Sequence, residues 1–163
     1  MEIIRVTEEN ALKVSRIYAE GWKTGYKGII DQDYLDSIPL DRWAKSLGNS
    51  QFHGFVLVEN GEYIATSTIA PARDDDMTGW GEIISMYVLP NHFRQGYGRI
   101  MFQYVVKQLK EMGYSKIYLW VLEDNHNARA FYSNNGFIPT DKAKLITFGG
   151  NSHKEVMYIN DLK

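Results

Sequence analysis

Arg94 to Arg99, with the sequence RQGYGR, place two glycines and two arginines between a strand-like run, EIISMYVLP, and a helix-like run, RIMFQYVVKQLKEMG. Glycine costs backbone entropy in regular structure and is useful where the backbone adopts a positive φ or comes close to a ligand. A glycine turn at a helix N-terminus exposes consecutive N–H groups, and the helix dipole favours an anion there by about 0.3–1 kcal/mol. The stretch therefore predicts either an anion site or a tight turn that binds nothing.

Two well-known phosphate-binding loops do not match this stretch. A P-loop ends in Gly-Lys followed by Ser or Thr, whereas Gly98 is followed by Arg99 and Ile100. A dinucleotide-binding loop needs a third glycine where Met101 stands, and no acidic residue closes a following strand about 20 residues on. A general anion site and a plain turn remain as the alternatives.

Composition limits the class of protein. The 163 residues, 44% hydrophobic and 23% charged, are enough for one domain with a core and too few for two. The net charge is -2 and no cluster of lysine and arginine stands out, so nucleic acid is not expected as a partner. The sequence has no long apolar stretch and no charged-then-apolar leader, so neither a membrane span nor a signal peptide is expected. A cytoplasmic location is therefore favoured.

Cysteine and histidine usage restricts the chemistry. The chain contains no cysteine, which excludes disulfides, thiolate metal sites and a cysteine nucleophile. The histidines are scattered without the spacing of metal ligands, so no metal is expected. These histidines are His53, His92, His126 and His153.

Apolar periodicity predicts alternating helices and strands in one mixed α/β domain that spans residues 1–163. Helices are expected from Thr7 to about Trp22, in two short pieces separated by Pro39, from about Tyr97 to Met112, and directly after Asn125. Strands are expected at Glu2–Thr7, Gly54–Glu59, Glu62–Ala70, Gly81–Leu89, Lys116–Leu122, Leu145–Phe148 and Glu155–Ile159.

Two connections between these elements are also predicted. Asn60 and Gly61 separate two strand-like runs, and this dipeptide is the strongest short-range signal for a hairpin. The strand, helix and strand between Gly81 and Leu122 have the order of a parallel crossover.

Two segments of the chain resemble the GCN5-related N-acetyltransferase (GNAT) family, which binds acetyl-coenzyme A. In that family a strand leads to a loop of pattern Q/R-x-x-G-x-G/A that opens a helix; Gly96 and Gly98 match it, and Phe93 stands where the family has Gln or Arg. Because backbone N–H groups do the main work of the loop, this departure is minor. The second pattern, N-x-x-A-x-x-F-Y-x-x-x-G-F, is complete here at Asn125, Ala128, Phe131, Tyr132, Gly136 and Phe137.

The resemblance implies a GNAT-type fold: an α/β mixed sheet with mostly antiparallel N-terminal strands and a central splayed strand pair, flanked by helices. It also implies that the pyrophosphate of coenzyme A rests on N–H groups of the glycine loop, and that the pantetheine arm pairs with the preceding strand. The N–H of Met86 would face the thioester carbonyl. The implied cofactor-binding residues are Met86, Tyr87, Val88, Arg94, Gln95, Gly96, Tyr97, Gly98, Arg99, Asn125, Ala128 and Tyr132.

The resemblance also implies an activity, the transfer of an acetyl group from acetyl-coenzyme A to a primary amine of a small molecule or peptide. Without a cysteine to carry the acetyl group, direct attack by the amine in a ternary complex is the simplest course. Glu82 matches a family carboxylate that often serves as the base, and the alternative is an ion pair with a neighbouring cation. Tyr132 would protonate the departing thiolate, and Asn125 could serve as a helix N-cap, a pantetheine ligand or both.

The acceptor and the partners are less well defined by the sequence. Trp22 and Tyr26 lie in a segment that resembles the acceptor side of a large bacterial subgroup of the family, and they would line the acceptor cleft or pack in the core. The acidic run from Asp74 to Asp76 would attract a cationic amine or be a solvated loop. The resemblance also allows a homodimer through the C-terminal strands, as often occurs in the family. The alternative to an enzyme is a non-catalytic domain of the same fold that binds or senses acyl-coenzyme A.

Overall fold

The computed structural model of the protein describes residues 1–162, and strands in this part of the chain form one seven-stranded sheet. The order across the sheet is first, second, third, fourth, fifth, seventh and sixth, and the pairing is antiparallel except between the fourth and fifth strands. The strands are β1 (Glu2–Arg5), β2 (His53–Glu59), β3 (Glu62–Pro71), β4 (Gly81–Val88), β5 (Lys116–Leu122), β6 (Ile138–Phe148) and β7 (Asn151–Asp161).

Helices cover both faces of the sheet, which confirms the predicted mixed α/β fold. The helix between β4 and β5 makes the parallel crossover. The helices are α1 (Ala11–Gly25), α2 (Gln32–Asp36), α3 (Ala44–Gly48), α4 (Tyr97–Glu111) and α5 (His126–Asn134). No helix among residues 1–162 is both long enough and apolar enough to cross a membrane.

The hairpin between β2 and β3 has the predicted turn. Asn60 and Gly61 adopt φ of 52° and 78°. Positive φ at both central residues is the requirement of a type I′ turn, whose twist matches that of the strands it joins. The turn brings β2 and β3 into antiparallel register and places β3 beside β4.

β4 and β5 pair only briefly and then diverge. The parallel pairing consists of Gly81 opposite Ile117 and Glu82 opposite Tyr118. On its other side β4 carries a bulge, because Thr68 and Ile69 of β3 face Ser85 and Ile83, which leaves Ile84 without an opposite residue. A bulge bends a strand and increases its local twist. The structure thus confirms the predicted splayed strand pair in the centre of the sheet.

Each face of the sheet has its own core. α4 and α5 cover one face, and their apolar side chains pack on alternate residues of β3, β4 and β5. α1 and α2 cover the other face, and the lack of a side chain at Gly21 allows α1 to lie against Tyr87, since a Cβ there would be 3.1 Å from the Tyr87 Cβ. The largest fully buried side chains on the α4 face include Met101, Leu109, Ile117, Leu119 and Phe137.

The first helix begins later than predicted. Asn10 is its N-cap residue, and the Asn10 side chain holds the preceding turn by accepting the Thr7 N–H at 2.8 Å and donating to the Arg5 carbonyl at 3.0 Å. β1 consequently ends at Arg5, and the expected start after Thr7 is wrong.

The last two strands are longer than their sequence pattern indicates. β6 and β7 each contain eleven residues and form one long hairpin, whereas the expected runs cover only their most apolar parts. β6 is an edge strand with mostly exposed side chains, so it lacks the alternation that predicts a half-buried strand.

Candidate active site

A cleft of about 1280 Å³ opens where β4 and β5 diverge. Residues 84–88 of β4 form one wall, and residues 120–122 of β5 with the start of α5 form the other. The first turn of α4 borders one end of the cleft, and aromatic residues of α1 and β6 border the other. We call these the α4 end and the aromatic end. This volume exceeds the roughly 300–1,000 Å³ of most small-molecule pockets, so the cleft suits an extended ligand.

The wall formed by β4 is an open strand edge. The Leu89 N–H donates to the Ile64 carbonyl of β3 at 2.9 Å. Because backbone groups of successive residues point to alternate sides of a strand, the N–H groups of Met86 and Val88 point away from β3 and into the cleft. An extended, polar ligand chain could pair with this edge as an added strand does.

The α4 end of the cleft offers free backbone donors. Gly96 is the N-cap residue of α4 with φ of 88°, and it has no side chain that could cap the helix. The first N–H that bonds within the helix is that of Ile100, which donates to the Gly96 carbonyl at 3.1 Å. The N–H groups of the three preceding residues, Tyr97 to Arg99, are therefore left for a ligand, which is the arrangement that binds anions at helix N-termini.

Gly98 keeps the cleft open between β4 and α5. A Cβ at Gly98 would lie 3.6 Å from Val88 Cγ2 and 3.8 Å from Phe131 Cε2, which are ordinary van der Waals distances. The fold itself would accept a side chain there, and that side chain would occupy space in the cleft. Gly96 differs, because its positive φ strains any other residue.

The side chains of the glycine loop are not all directed at the cleft. Arg94 and Arg99 line it and are exposed to solvent. Tyr97 also lines it, and its hydroxyl is held by the Glu59 carboxylate. Gln95 is the exception: its side-chain amide donates to the Asn91 carbonyl at 3.1 Å and does not line the cleft. The Gln95 side chain thus closes the loop in this structure, and its role as a donor to the cofactor stays a prediction.

The start of α5 contributes a polar group to the opposite wall. Asn125 is the N-cap residue, and its Oδ1 accepts the Ala128 N–H at 3.2 Å. Both residues line the cleft. The Asn125 Nδ2 has no protein partner among residues 1–162, so it can donate to a ligand while the Oδ1 caps the helix.

Tyr132 projects from α5 into the cleft. Burial raises the pKa of its hydroxyl, and the nearby Tyr26 raises it further. The hydroxyl has no hydrogen-bond partner in the part of the chain that the structure describes. Tyr132 is therefore protonated at neutral pH and free to donate to a group bound in the cleft.

Glu82 lies behind the cleft wall and does not line it. Its side chain is only 1% exposed, and its carboxylate accepts hydrogen bonds from Arg73 Nη2 at 2.7 Å and from the Tyr118 hydroxyl at 3.0 Å. The Arg73 backbone N–H and Nε also donate to it, both at 3.1 Å. This is the ion pair that the sequence left as the alternative, and the role of Glu82 as base stays a prediction.

Trp22 and Tyr26 both lie at the aromatic end of the cleft. The Trp22 ring makes edge contacts with Tyr26 and with Phe148, each with centroids 4.9 Å apart. Its Nε1 donates to the Tyr87 hydroxyl at 3.0 Å. The two residues also pack against a buried apolar cluster, so one face of each side chain belongs to the core and the other to the cleft.

Sequence reasoning did not identify several residues that line the aromatic end, namely Arg73, Trp120, Phe148 and Glu155. The sequence signal at Glu155 is its register in β7, where it shares a strand face with the apolar residues Met157 and Ile159. An acidic residue at that position indicates a cleft residue only when the strand and its pairing partners are known. Among the described residues no cluster of His, Cys, Asp and Glu could hold a metal ion.

Comparison with known proteins places these features in a family. The model of the acetyltransferase (GNAT) family matches residues 14–137. The chain is 26% identical over 119 residues to the uncharacterized N-acetyltransferase YuaI of Bacillus subtilis, which covers 72% of this chain and 69% of that protein.

Solved structures share the fold at low sequence identity. PaiA N-acetyltransferase from Thermoplasma acidophilum in complex with coenzyme A superimposes with a TM-score of 0.76 at 19% identity, covering 98% of both chains. Ribosomal-protein-S18-alanine N-acetyltransferase from Escherichia coli superimposes with a TM-score of 0.73 at 16% identity, covering 99% of this chain and 94% of that chain. These likenesses establish the fold.

Replacing Arg73 by alanine tests whether the ion pair with the buried Glu82 carboxylate stabilises the fold. The change leaves the buried Glu82 carboxylate without its cation, and we expect the free energy of unfolding to fall by about 2 kcal/mol, the range for hydrogen bonds to charged groups. Arg16→Ala is the matched control, because the Arg16–Glu20 pair is exposed on one helix and is worth only about 0.3–0.5 kcal/mol. Equal losses in urea unfolding would show that the Arg73–Glu82 pair has no special structural role.

Proposed function

Because this chain belongs to the GNAT family of acetyltransferases, we propose that it transfers an acetyl group from acetyl-coenzyme A to a primary amine of a small molecule or peptide. The family uses acetyl-coenzyme A as its acetyl donor. The observation that carries the proposal is the cleft itself, an open strand edge that leads to the uncapped N-terminus of α4. The YuaI relative is named an N-acetyltransferase, and the PaiA structure contains coenzyme A.

The α4 end fits the pyrophosphate of coenzyme A. The N–H groups of Tyr97, Gly98 and Arg99 are free, and the first turn of a helix favours negative charge. The Arg94 and Arg99 side chains border the same end and would add positive charge. Because Gly98 has no side chain, the pyrophosphate could come close to these N–H groups.

The middle of the cleft fits the pantetheine arm. Its amide groups would pair with the open edge of β4 between Met86 and Val88, as an added strand would. The free Nδ2 of Asn125 lies on the opposite wall and would donate to the same arm. This extended seat leads from the α4 end toward the aromatic end, where Trp22 and Tyr26 would border the acceptor.

When bound, acetyl-coenzyme A supplies an acetyl group already activated as a thioester. The chain has no cysteine, so its residues support direct attack by the amine rather than an acetylated enzyme. The Met86 N–H would donate to the thioester carbonyl, a hydrogen bond that strengthens as negative charge develops on that oxygen. Tyr132, which burial keeps protonated, would donate its proton to the departing sulfur.

The amine must lose a proton before it attacks, since primary amines are mostly protonated at neutral pH. We include Glu82 in the proposal as a base, because it lies in β4 two residues before the bulge. Its burial and its hydrogen bonds to Arg73 and Tyr118 rule out direct contact with an amine in this conformation. A proton would have to reach Glu82 through a water molecule.

A thiol-release assay with a panel of primary amines tests the proposed function against a sensing role. Steady release of coenzyme A that requires both acetyl-coenzyme A and an amine is expected. Acetyl-coenzyme A that raises the melting temperature without turnover of any amine would instead indicate a domain that binds or senses the cofactor.

Gly98→Val tests the seat of the pyrophosphate. The new side chain would stand in the cleft between Val88 and Phe131, and we expect it to weaken binding of coenzyme A at least about tenfold, equivalent to about 1.4 kcal/mol. Isothermal titration calorimetry measures the change.

Gln103→Val is the matched control for this experiment. Gln103 lies on the exposed side of α4 and outside the cleft, so the variant places the same β-branched residue in the same helix without filling the cleft. Its affinity for coenzyme A should equal that of the wild type. Equal affinity in Gly98→Val as well would remove the glycine loop from the cofactor site.

Tyr132→Phe tests the proton donor. Loss of the hydroxyl should lower kcat by about 10²-fold, the lower range for general acid catalysis, with little change in the affinity for acetyl-coenzyme A. Because burial raises the Tyr132 pKa, the protonated form is present below that pKa, and wild-type kcat should show no falling limb up to about pH 10, the ordinary tyrosine pKa. A variant that turns over as fast as the wild type would exclude Tyr132 as the acid.

A further inference from the structure

Glu155 is a cleft carboxylate that no part of the site so far described uses. It lies in β7 opposite Leu122 of β5 and Lys144 of β6, and its side chain is 16% exposed. Nothing among residues 1–162 donates a hydrogen bond to its carboxylate. The Lys144 Nζ lies 3.8 Å from Oε2 and forms an ion pair with it, at a distance too long for a hydrogen bond.

The neighbouring carboxylates differ from Glu155 because protein donors satisfy them. Glu82 is bound by Arg73 and Tyr118. Asp74 accepts the Trp120 Nε1–H at 3.0 Å and shares with Glu82 the single proton of the Tyr118 hydroxyl, which lies 2.8 Å from the Asp74 Oδ2. A partly buried carboxylate without a hydrogen-bond donor loses hydration, and the ion pair with Lys144 replaces that hydration only in part. A ligand with N–H groups would supply what Glu155 lacks.

The surfaces around Glu155 are aromatic. Trp22, Tyr26, Trp120 and Phe148 line the same end of the cleft. Lys144 already places its ammonium 4.3 Å from the centre of the Trp120 ring, which shows that this surface accepts a cation. Aromatic walls also bury apolar carbon well. The aromatic end thus combines a carboxylate for an ammonium group with apolar surface for the body that carries it.

We propose that Glu155 binds the ammonium group of the acceptor and takes its proton, and that the acceptor is a primary amine on an apolar or aromatic body. This inference rests on the proposed function and names the substrate class of the same site. In this proposal Glu155 replaces Glu82 as the base for the first proton, because Glu155 lines the cleft whereas Glu82 is enclosed by Arg73 and Tyr118.

The proton balance is complete with the groups present. An ammonium of three protons transfers one to Glu155, and the neutral amine then forms the nitrogen–carbon bond as the carbon–sulfur bond of the thioester breaks. The Tyr132 proton goes to the departing sulfur, and the second proton lost from the nitrogen restores Tyr132 through water. The amide retains the third proton, and Glu155 returns its proton to solvent.

The charges that face Glu155 set the pH dependence. Burial raises the pKa of its carboxyl; Lys144 and Arg73 oppose this rise, and Asp74 and Glu82 add to it. Tyr26 also faces it across the cleft, and His153 lies two residues along β7 on the same strand face. Because the base must be ionised, activity should rise with pH through a value above the ordinary glutamate pKa of about 4.3.

Glu155→Gln tests the role with steady-state kinetics, using acetyl-coenzyme A and 2-phenylethylamine. We expect kcat/KM for the amine to fall about 10²-fold and the lowest rising limb of its pH profile to disappear, while affinity for acetyl-coenzyme A stays the same. Glu123→Gln is the matched control, since Glu123 is an ion-paired carboxylate outside the cleft, and it should behave as the wild type. Glu155→Asp should keep the rising limb at a reduced rate.

The substrate class has its own comparison. Ethanolamine carries the same ammonium group as 2-phenylethylamine on a polar body. The wild-type enzyme should have a higher kcat/KM for 2-phenylethylamine. Equal values, or a preference for ethanolamine, would overturn the assignment of an apolar acceptor.

A measurement without turnover separates binding of the amine from its acetylation. In the wild-type complex with coenzyme A, which has no acetyl group to transfer, the side-chain carboxyl carbon of Glu155 is followed by carbon-13 NMR during pH titration. Addition of 2-phenylethylamine should shift its signal and lower its apparent pKa, since the ammonium favours the ionised carboxylate. An unmoved signal would overturn the proposal without any reference to a variant.

The outcomes also distinguish this inference from the proposed function. Turnover by the wild type together with unchanged kinetics in Glu155→Gln overturns the role of Glu155 alone, and a loss confined to Glu82→Gln would return the role to Glu82. Binding of coenzyme A by the wild type without turnover of any amine contradicts the proposed function, and the role of Glu155 fails with it.

Discussion

The divergence of β4 from β5 is the constraint on which the rest of the structure depends. Two paired positions hold the strands together at Gly81 and Glu82, and beyond them the bulge at Ile84 bends β4 away. A parallel pair needs a long crossover, and here that crossover is α4, whose N-terminus lies at the mouth of the opening. Where the β4–β5 pairing ends, β4 therefore keeps an open strand edge, and the N-terminus of α4 provides an anion site at the end of that edge.

The two ends of the cleft are built for opposite charges. The α4 end has free N–H groups and exposed arginines, and it suits a phosphate group. Glu155 is the carboxylate that lines the aromatic end, whereas Asp74 and Glu82 do not line the cleft and accept hydrogen bonds from protein donors. In the proposed complex this division would orient the extended acyl donor along the cleft and place the ammonium group of the acceptor at Glu155.

Much of the part of the cleft proposed to bind the acetyl donor was predictable from the sequence, because the sequence signals for it are local. Gly96 and Gly98 mark the start of α4, and the bounds of β5 agree with its apolar run. The acceptor side depends on contacts between residues far apart in the chain: Arg73 meets Glu82 across a loop, and Glu155 reaches the cleft only through the pairing of β7 with β5. No periodicity within one segment specifies such pairings. The edge strand β6 has mostly exposed side chains and no apolar alternation along its whole length, so its bounds could not be predicted from its sequence pattern.

Amide hydrogen exchange at Met86 and Val88 measures most directly whether the open edge of β4 receives the acetyl donor. Both N–H groups point into the cleft, so both should exchange quickly in the free protein. Saturating coenzyme A should slow both amides strongly, while Tyr87, whose N–H faces β3, should change little. Unchanged exchange at Met86 and Val88 in a protein that has bound coenzyme A would contradict the assignment of the cleft as its seat.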